Sequence, residues 1–105
     1  SELLGLGLLD KADVQNETAE QPAYKKYFMH GTSHHLGLDT HDYGLLEAPM
    51  EPHMVFTVEP GIYIPEEGFG IRLEDDVVVQ KSGAPINLME NIPIEADEIE
   101  ALMNA

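Results

Sequence analysis

Four of the chain's five histidines fall in one stretch, His30-Gly31-Thr32-Ser33-His34-His35-Leu36-Gly37-Leu38-Asp39-Thr40-His41-Asp42. Histidine is the commonest transition-metal ligand and the usual proton carrier near neutral pH. Here the histidines are interleaved with glycines rather than lysines, which is not the composition of an ordinary solvated surface. In an extended backbone His30, Thr32 and His34 share one face, so His30 and His34 could look into one site. His35 points the other way, toward packing or solvent.

Two further segments carry carboxylates in apolar surroundings. In Thr57-Val58-Glu59-Pro60-Gly61-Ile62-Tyr63, Glu59 interrupts a β-prone run, where a charge is costly unless paired or bound to a metal. Pro60-Gly61 turns the backbone just where that side chain must be aimed; the alternative is an edge-strand glutamate facing water. In Gly70-Ile71-Arg72-Leu73-Glu74-Asp75-Asp76-Val77, Arg72 and Glu74 stand two apart and lie on one face of a strand. Arg72 is the chain's single arginine, and a guanidinium can orient a carboxylate and hold it ionised. An ordinary surface ion pair is the other reading of that pair.

A histidine and two glutamates on neighbouring strands make a hard N/O donor set, suited to Mn²⁺, Zn²⁺, Co²⁺ or Fe²⁺. There is no His-Glu-x-x-His helix. Asp39, His41, Tyr43 and Gly44 mimic the start of an EF-hand loop, but its twelfth position is Met50 rather than a glutamate. The chain has no cysteine, which excludes thiolate sites and disulfides.

These segments need elements to position them. Leu3, Leu4, Leu6, Leu8 and Leu9 read as the tail of a helix begun upstream, and residues 10–22 as loop or weak helix. Tyr24, Tyr27 and Phe28 at i, i+3 and i+4 predict a short amphipathic helix over Ala23–Met29. Met54–Ile64 and Ile71–Gln80 read as two strands of a long hairpin, the first interrupted at Pro60-Gly61, with turn chemistry over Pro65–Gly70. Tyr43–His53 is an irregular connection, Ser82–Pro85 a turn, Ile86–Leu88 a short extended segment, and Glu95–Met103 a helix with acids in its first turn.

Bulk properties bound the function. The chain has 105 residues, one domain at most or a piece of one, with 43% hydrophobic residues and a net charge of −15. Twenty acids against five Lys and Arg argue against nucleic acid and anionic membrane surfaces, whose binding needs clustered cations. No apolar run approaches the ~20 residues that span a bilayer. The expectation is a soluble, cytoplasmic protein.

The three chemistry-bearing segments, in this order and spacing over roughly Tyr27–Leu88, resemble the C-terminal half of the aminopeptidase P and prolidase family. Gly31-Thr32-Ser33 between His30 and His34, followed by Leu36-Gly37-Leu38-Asp39-Thr40-His41-Asp42, resembles aminopeptidase P more than prolidase or methionine aminopeptidase. The resemblance implies an α+β chain forming the C-terminal half of a pita-bread fold, antiparallel β-hairpins with flanking helices. It implies that residues 1–105 are an incomplete catalytic domain lacking its N-terminal half. By resemblance His34, Glu59 and Glu74 are metal ligands, with Glu74 bridging two divalent ions, manganese first among Mn, Zn, Co and Fe. His30 and His41 match substrate-contacting histidines, and Arg72 matches an arginine that supports the site. The implied reaction is hydrolysis of the bond before a proline in second position, through a metal-bridging hydroxide, with Glu59 helping to move the proton.

Two departures accompany the resemblance. The family's two aspartate ligands come from the N-terminal half, and nothing upstream of His30 resembles their motif; Asp10 and Asp13 stay unassigned. His53 stands where the family usually has glycine. This chain alone is therefore expected to be inactive and, with uncovered apolar surface, to self-associate. A prolidase fragment, a non-catalytic pita-bread-derived binding module and a split enzyme with its aspartates on a partner chain are the alternatives.

Overall fold

The computed structural model describes residues 2–105. Its elements are α1 (Glu2–Gly5), α2 (Lys11–Gln15), a 3₁₀ turn (Ala23–Lys26), β1 (Val55–Val58), β2 (Gly61–Ile64), a 3₁₀ turn (Pro65–Glu67), β3 (Phe69–Arg72), β4 (Asp75–Val78), β5 (Ile86–Asn87) and α3 (Ala96–Met103). They fall into two compact units. The first joins the N-terminal stretch up to Gly31 with Pro60–Arg72; the second joins Thr32–Glu59 with Leu73–Ala105.

In the second unit β1 pairs antiparallel with β4, from Val55 opposite Val78 to Val58 opposite Asp75. β5 adds to the other edge of β4, giving the order β1-β4-β5. In the first unit β2 and β3 pair antiparallel, from Gly61 opposite Arg72 to Ile64 opposite Phe69. Both strands predicted from the sequence are thus broken, one at Glu59-Pro60 and the other at Leu73-Glu74. Pro60 has no N–H to give to a ladder, so its loss interrupts the facing strand as well. The break leaves a glutamate in each interruption. The second strand also starts earlier than Ile71, because the turn before it is short. Gly68 closes that turn at φ 72°, its N–H donating to Pro65 O (3.2 Å). A residue with a Cβ is strained in this left-handed conformation.

The first unit's core is Leu3, Leu9 and Tyr27, with Ile62 and Ile64 packed against it. The helix expected over Ala23–Met29 contracts to a 3₁₀ turn that still buries Tyr27. Asp10 and Asp13 cap α2 reciprocally, each carboxylate accepting the other's backbone N–H at 2.8 Å. That capping box accounts for both aspartates left unassigned by the sequence.

In the second unit Phe56 and Thr57 are buried on β1. The turn before β1 runs from Glu51 to Met54, whose N–H donates to Glu51 O (3.2 Å), with Pro52 and His53 between them. His53 has φ 73°, the only non-glycine with positive φ among the described residues. His53 therefore holds a left-handed conformation that a glycine would take at no cost. Among the described residues no helix is long and apolar enough to cross a membrane.

Candidate metal centre

The histidine-bearing segment lies along the free edge of β1. Leu36 N–H donates to Val55 O (3.0 Å), Thr57 N–H to His34 O (3.0 Å) and Glu59 N–H to Thr32 O (2.8 Å). His35 forms an antiparallel bridge with Phe56, and the two rings pack with centroids 4.4 Å apart. His35 therefore serves packing, as the alternation of faces predicts. His34 turns the other way, toward the face of β1 that carries Thr57 and Glu59.

On that face His34, Glu59 and Glu74 each offer a ligand atom, all within 4.8 Å of one another. Glu59 is 8% exposed, His34 is half-buried and Glu74 is exposed. His34 Nδ1 lies 2.9 Å from the His35 carbonyl. A carbonyl only accepts, so Nδ1 carries the hydrogen and the Nε2 lone pair faces outward. Nε2 lies 3.1 Å from Glu59 Oε1. A lone pair set against a buried carboxylate calls for a cation, a proton or a metal ion, between them. The pair can be closed by a shared proton as an ion pair, and the imidazole with two carboxylates is a hard donor set of the kind that suits a divalent metal. The Nδ1–carbonyl bond is also the support that a metal-binding imidazole uses to fix its orientation.

Thr57, 1% exposed, links two members of this group. Its hydroxyl donates to Glu59 Oε1 (3.1 Å) and accepts the His34 N–H (3.0 Å). Sequence reasoning passed over Thr57, because threonine in a strand reads as an ordinary β-former. The available signal was its position two residues before Glu59, on the same face. His41 lies in the same unit, its ring 4.2 Å from that of His34 and tilted by 40°.

His30 and Arg72 belong to the first unit, with partners of their own. His30 Nδ1 is 2.6 Å from Gly31 O and Nε2 is 2.9 Å from Tyr63 Oη. The carbonyl fixes the hydrogen on Nδ1, so the Tyr63 hydroxyl donates to Nε2 and its oxygen accepts the Arg72 Nε–H (3.0 Å). Tyr63 is the second residue that the sequence did not single out. Arg72 ends β3 and Glu74 falls in the break beyond it, so they do not share a continuous strand as expected.

Antiparallel strand pairs with hard N/O donors gathered beside β1 make up a portion of the pita-bread fold. The chain belongs to metallopeptidase family M24, whose model matches residues 9–81. It is 47% identical over 117 residues to an Xaa-Pro aminopeptidase of Escherichia coli (strain K12), covering 100% of this chain and 26% of that protein. An Xaa-Pro aminopeptidase of Haemophilus influenzae is 43% identical, with 97% of this chain and 26% of the relative covered. Among solved structures, Pseudomonas aeruginosa aminopeptidase PepP superposes with a TM-score of 0.78 at 40% identity, over 97% of this chain and 26% of that one. The chain thus spans about a quarter of the length of these relatives, and its fold is a portion of theirs.

Proposed function

We propose that this chain carries part of the catalytic centre of an Xaa-Pro aminopeptidase, which releases the N-terminal residue from peptides with proline in second position. The observation that carries the reading is the convergence of His34, Glu59 and Glu74 within 4.8 Å, in a chain of family M24. His34 through Nε2 and the two carboxylates would hold divalent metal, with manganese the first expectation and zinc, cobalt or iron compatible with the same donors. Bound metal supplies Lewis-acid polarisation of the scissile carbonyl and a water acidified to near neutrality.

The chain's own residues do the rest. Thr57 steadies Glu59 through Oε1, which leaves that carboxylate aimed as the group that takes and returns a proton. Glu74 would add a second carboxylate to the donor set that holds the metal. By the family resemblance His41, whose ring tilts against that of His34, and His30, bonded to Tyr63, would contact the substrate. Arg72 acts through the Tyr63 hydroxyl. Two aspartate ligands are expected from the N-terminal half of the catalytic domain. Asp10 and Asp13 are engaged in capping α2 and do not supply them. The similarity to Xaa-Pro aminopeptidases supports this reading over an Xaa-Pro dipeptidase.

The test is release of the first residue from an Xaa-Pro-Xaa peptide with added Mn²⁺. The reading expects little turnover by the chain alone. Activity should appear when the N-terminal half of an aminopeptidase P catalytic domain is added, and vanish again with His34→Ala. Full turnover without that half, or turnover that survives His34→Ala, would contradict it.

A further inference from the structure

We propose that Asp42 is a positioning residue, whose carboxylate folds the 37–43 loop onto the His35 carbonyl and so holds His41 against His34. The inference rests on the reading above for the importance of the two histidines, but its geometry stands within the second unit alone.

The loop has no regular secondary structure, and between Gly37 and Tyr43 every residue except Asp42 is exposed. Something other than burial must therefore fix it. The Asp42 carboxylate does so from both ends: Oδ2 accepts the Leu38 N–H (3.1 Å) at the loop's start and Oδ1 accepts the Tyr43 N–H (2.9 Å) at its finish. The inner turn is closed by the Gly37 N–H on Asp39 O (3.2 Å). Gly37 is what admits the carboxylate, since a Cβ there would collide with Asp42 Oδ2.

The folded loop docks on a fixed point. Asp42 N–H donates to His35 O at 3.0 Å. That carbonyl belongs to the peptide whose N–H, on Leu36, bonds Val55 O of β1 (3.0 Å), so its direction is set by the sheet. It also accepts His34 Nδ1–H (2.9 Å). A carbonyl has two lone pairs, and here both are used. One sheet-anchored oxygen thus sets the ring of His34 directly and, through the N–H next to it in sequence, the ring of His41. The 4.2 Å ring separation follows from that shared anchor.

The experiment is nuclear magnetic resonance of the metal-free chain, reading the cross-relaxation between the His34 and His41 ring protons. In Asp42→Ala that contact is expected to be lost and the His41 ring signals to move to random-coil positions. The His34 nitrogen shifts should keep the Nδ1–H form and the Phe56 and Val77 signals should stay in place, which separates loss of position from loss of fold. Gly37→Ala should produce the same loss with the carboxylate still present. Asp42→Asn, which keeps one acceptor oxygen, should restore part of the contact. Persistence of the contact in Asp42→Ala or Gly37→Ala would overturn the inference. So would an Asp42→Asn spectrum no nearer the parent than Asp42→Ala. Should Asp42→Ala fail to fold, Gly37→Ala and Asp42→Asn decide the matter. None of these readouts needs bound metal, so a chain that binds no Mn²⁺ would defeat the proposed function and leave this inference to the ring contact.

Discussion

Thr57 is the residue on which the candidate centre turns, and it is neither a ligand nor a charged group. Its hydroxyl joins the backbone of His34 to the carboxylate of Glu59 while 1% exposed. Replacing it with valine keeps the shape but takes the hydroxyl acceptor from the His34 N–H and removes one donor from the Glu59 carboxylate. An unsatisfied buried group costs about 1–3 kcal/mol, and loss of a group that supports a ligand typically weakens metal binding about 10- to 100-fold. Thr57→Val is therefore expected to be less stable by that amount in urea and to bind Mn²⁺ more weakly, with Thr57→Ser close to the parent. His34, Glu59 and Glu74 were legible as a set through the order and spacing of their three segments, which resemble the aminopeptidase P and prolidase family. Thr57 and Tyr63 were not, because a hydroxyl on a β-former carries no mark of its use until its neighbours across the strands are known.

At the scale of elements, the hairpin was legible and its interruption only half so. Pro60-Gly61 announced the break in the first strand. The matching break at Leu73-Glu74 has no breaker residue of its own and follows from pairing across from a proline, which is a tertiary fact. The turn before β1 is the other element with a consequence. His53 at φ 73° holds a left-handed conformation that costs a non-glycine residue roughly 1 kcal/mol. His53→Gly is expected to raise the unfolding free energy measured in urea by about that much, offset in part by the greater freedom of glycine in the unfolded chain. A destabilised glycine variant would mean that the imidazole makes a contact worth more than the strain.

The 3₁₀ turn between β2 and β3 carries the titration that can be followed by pH. Glu66 is held below the ordinary carboxylate range, first by its own backbone N–H and then by Lys26, whose Nζ lies 3.0 Å from its Oε1. Lys26 is raised above its ordinary value, by Tyr27 first and Glu66 second. A lowered carboxylate adds stability at pH above its unfolded value, and that stability fades as pH falls through the folded one. Both side chains are exposed, so the effect on stability is small, and the titration itself is the better readout. In Lys26→Gln the Glu66 carboxyl carbon should titrate at higher pH than in the parent and still below an ordinary glutamate, because the backbone donor remains. An unchanged midpoint would show that the ion pair does not persist in solution.

The whole molecule combines a net charge of −15 with apolar side chains left in water, including Leu38 at 99%, Leu46 at 92% and Tyr43 at 85% exposure. Large exposed apolar surface marks an interface or an association-prone face, while like charge opposes association until salt screens it. The chain on its own is therefore expected to self-associate more at high ionic strength than at low, as light scattering would show. A monomer at every salt concentration, with no binding of an apolar dye, would contradict this.

Binding of a divalent cation at His34, Glu59 and Glu74 is measured directly by calorimetric titration of Mn²⁺ into the parent chain, His34→Ala and Glu59→Gln. Saturable binding by the parent, weakened at least about 10-fold in each variant, is the predicted result. Equal affinity in all three would mean that the acidic surface alone holds the ion, and that the three side chains do not form a metal centre.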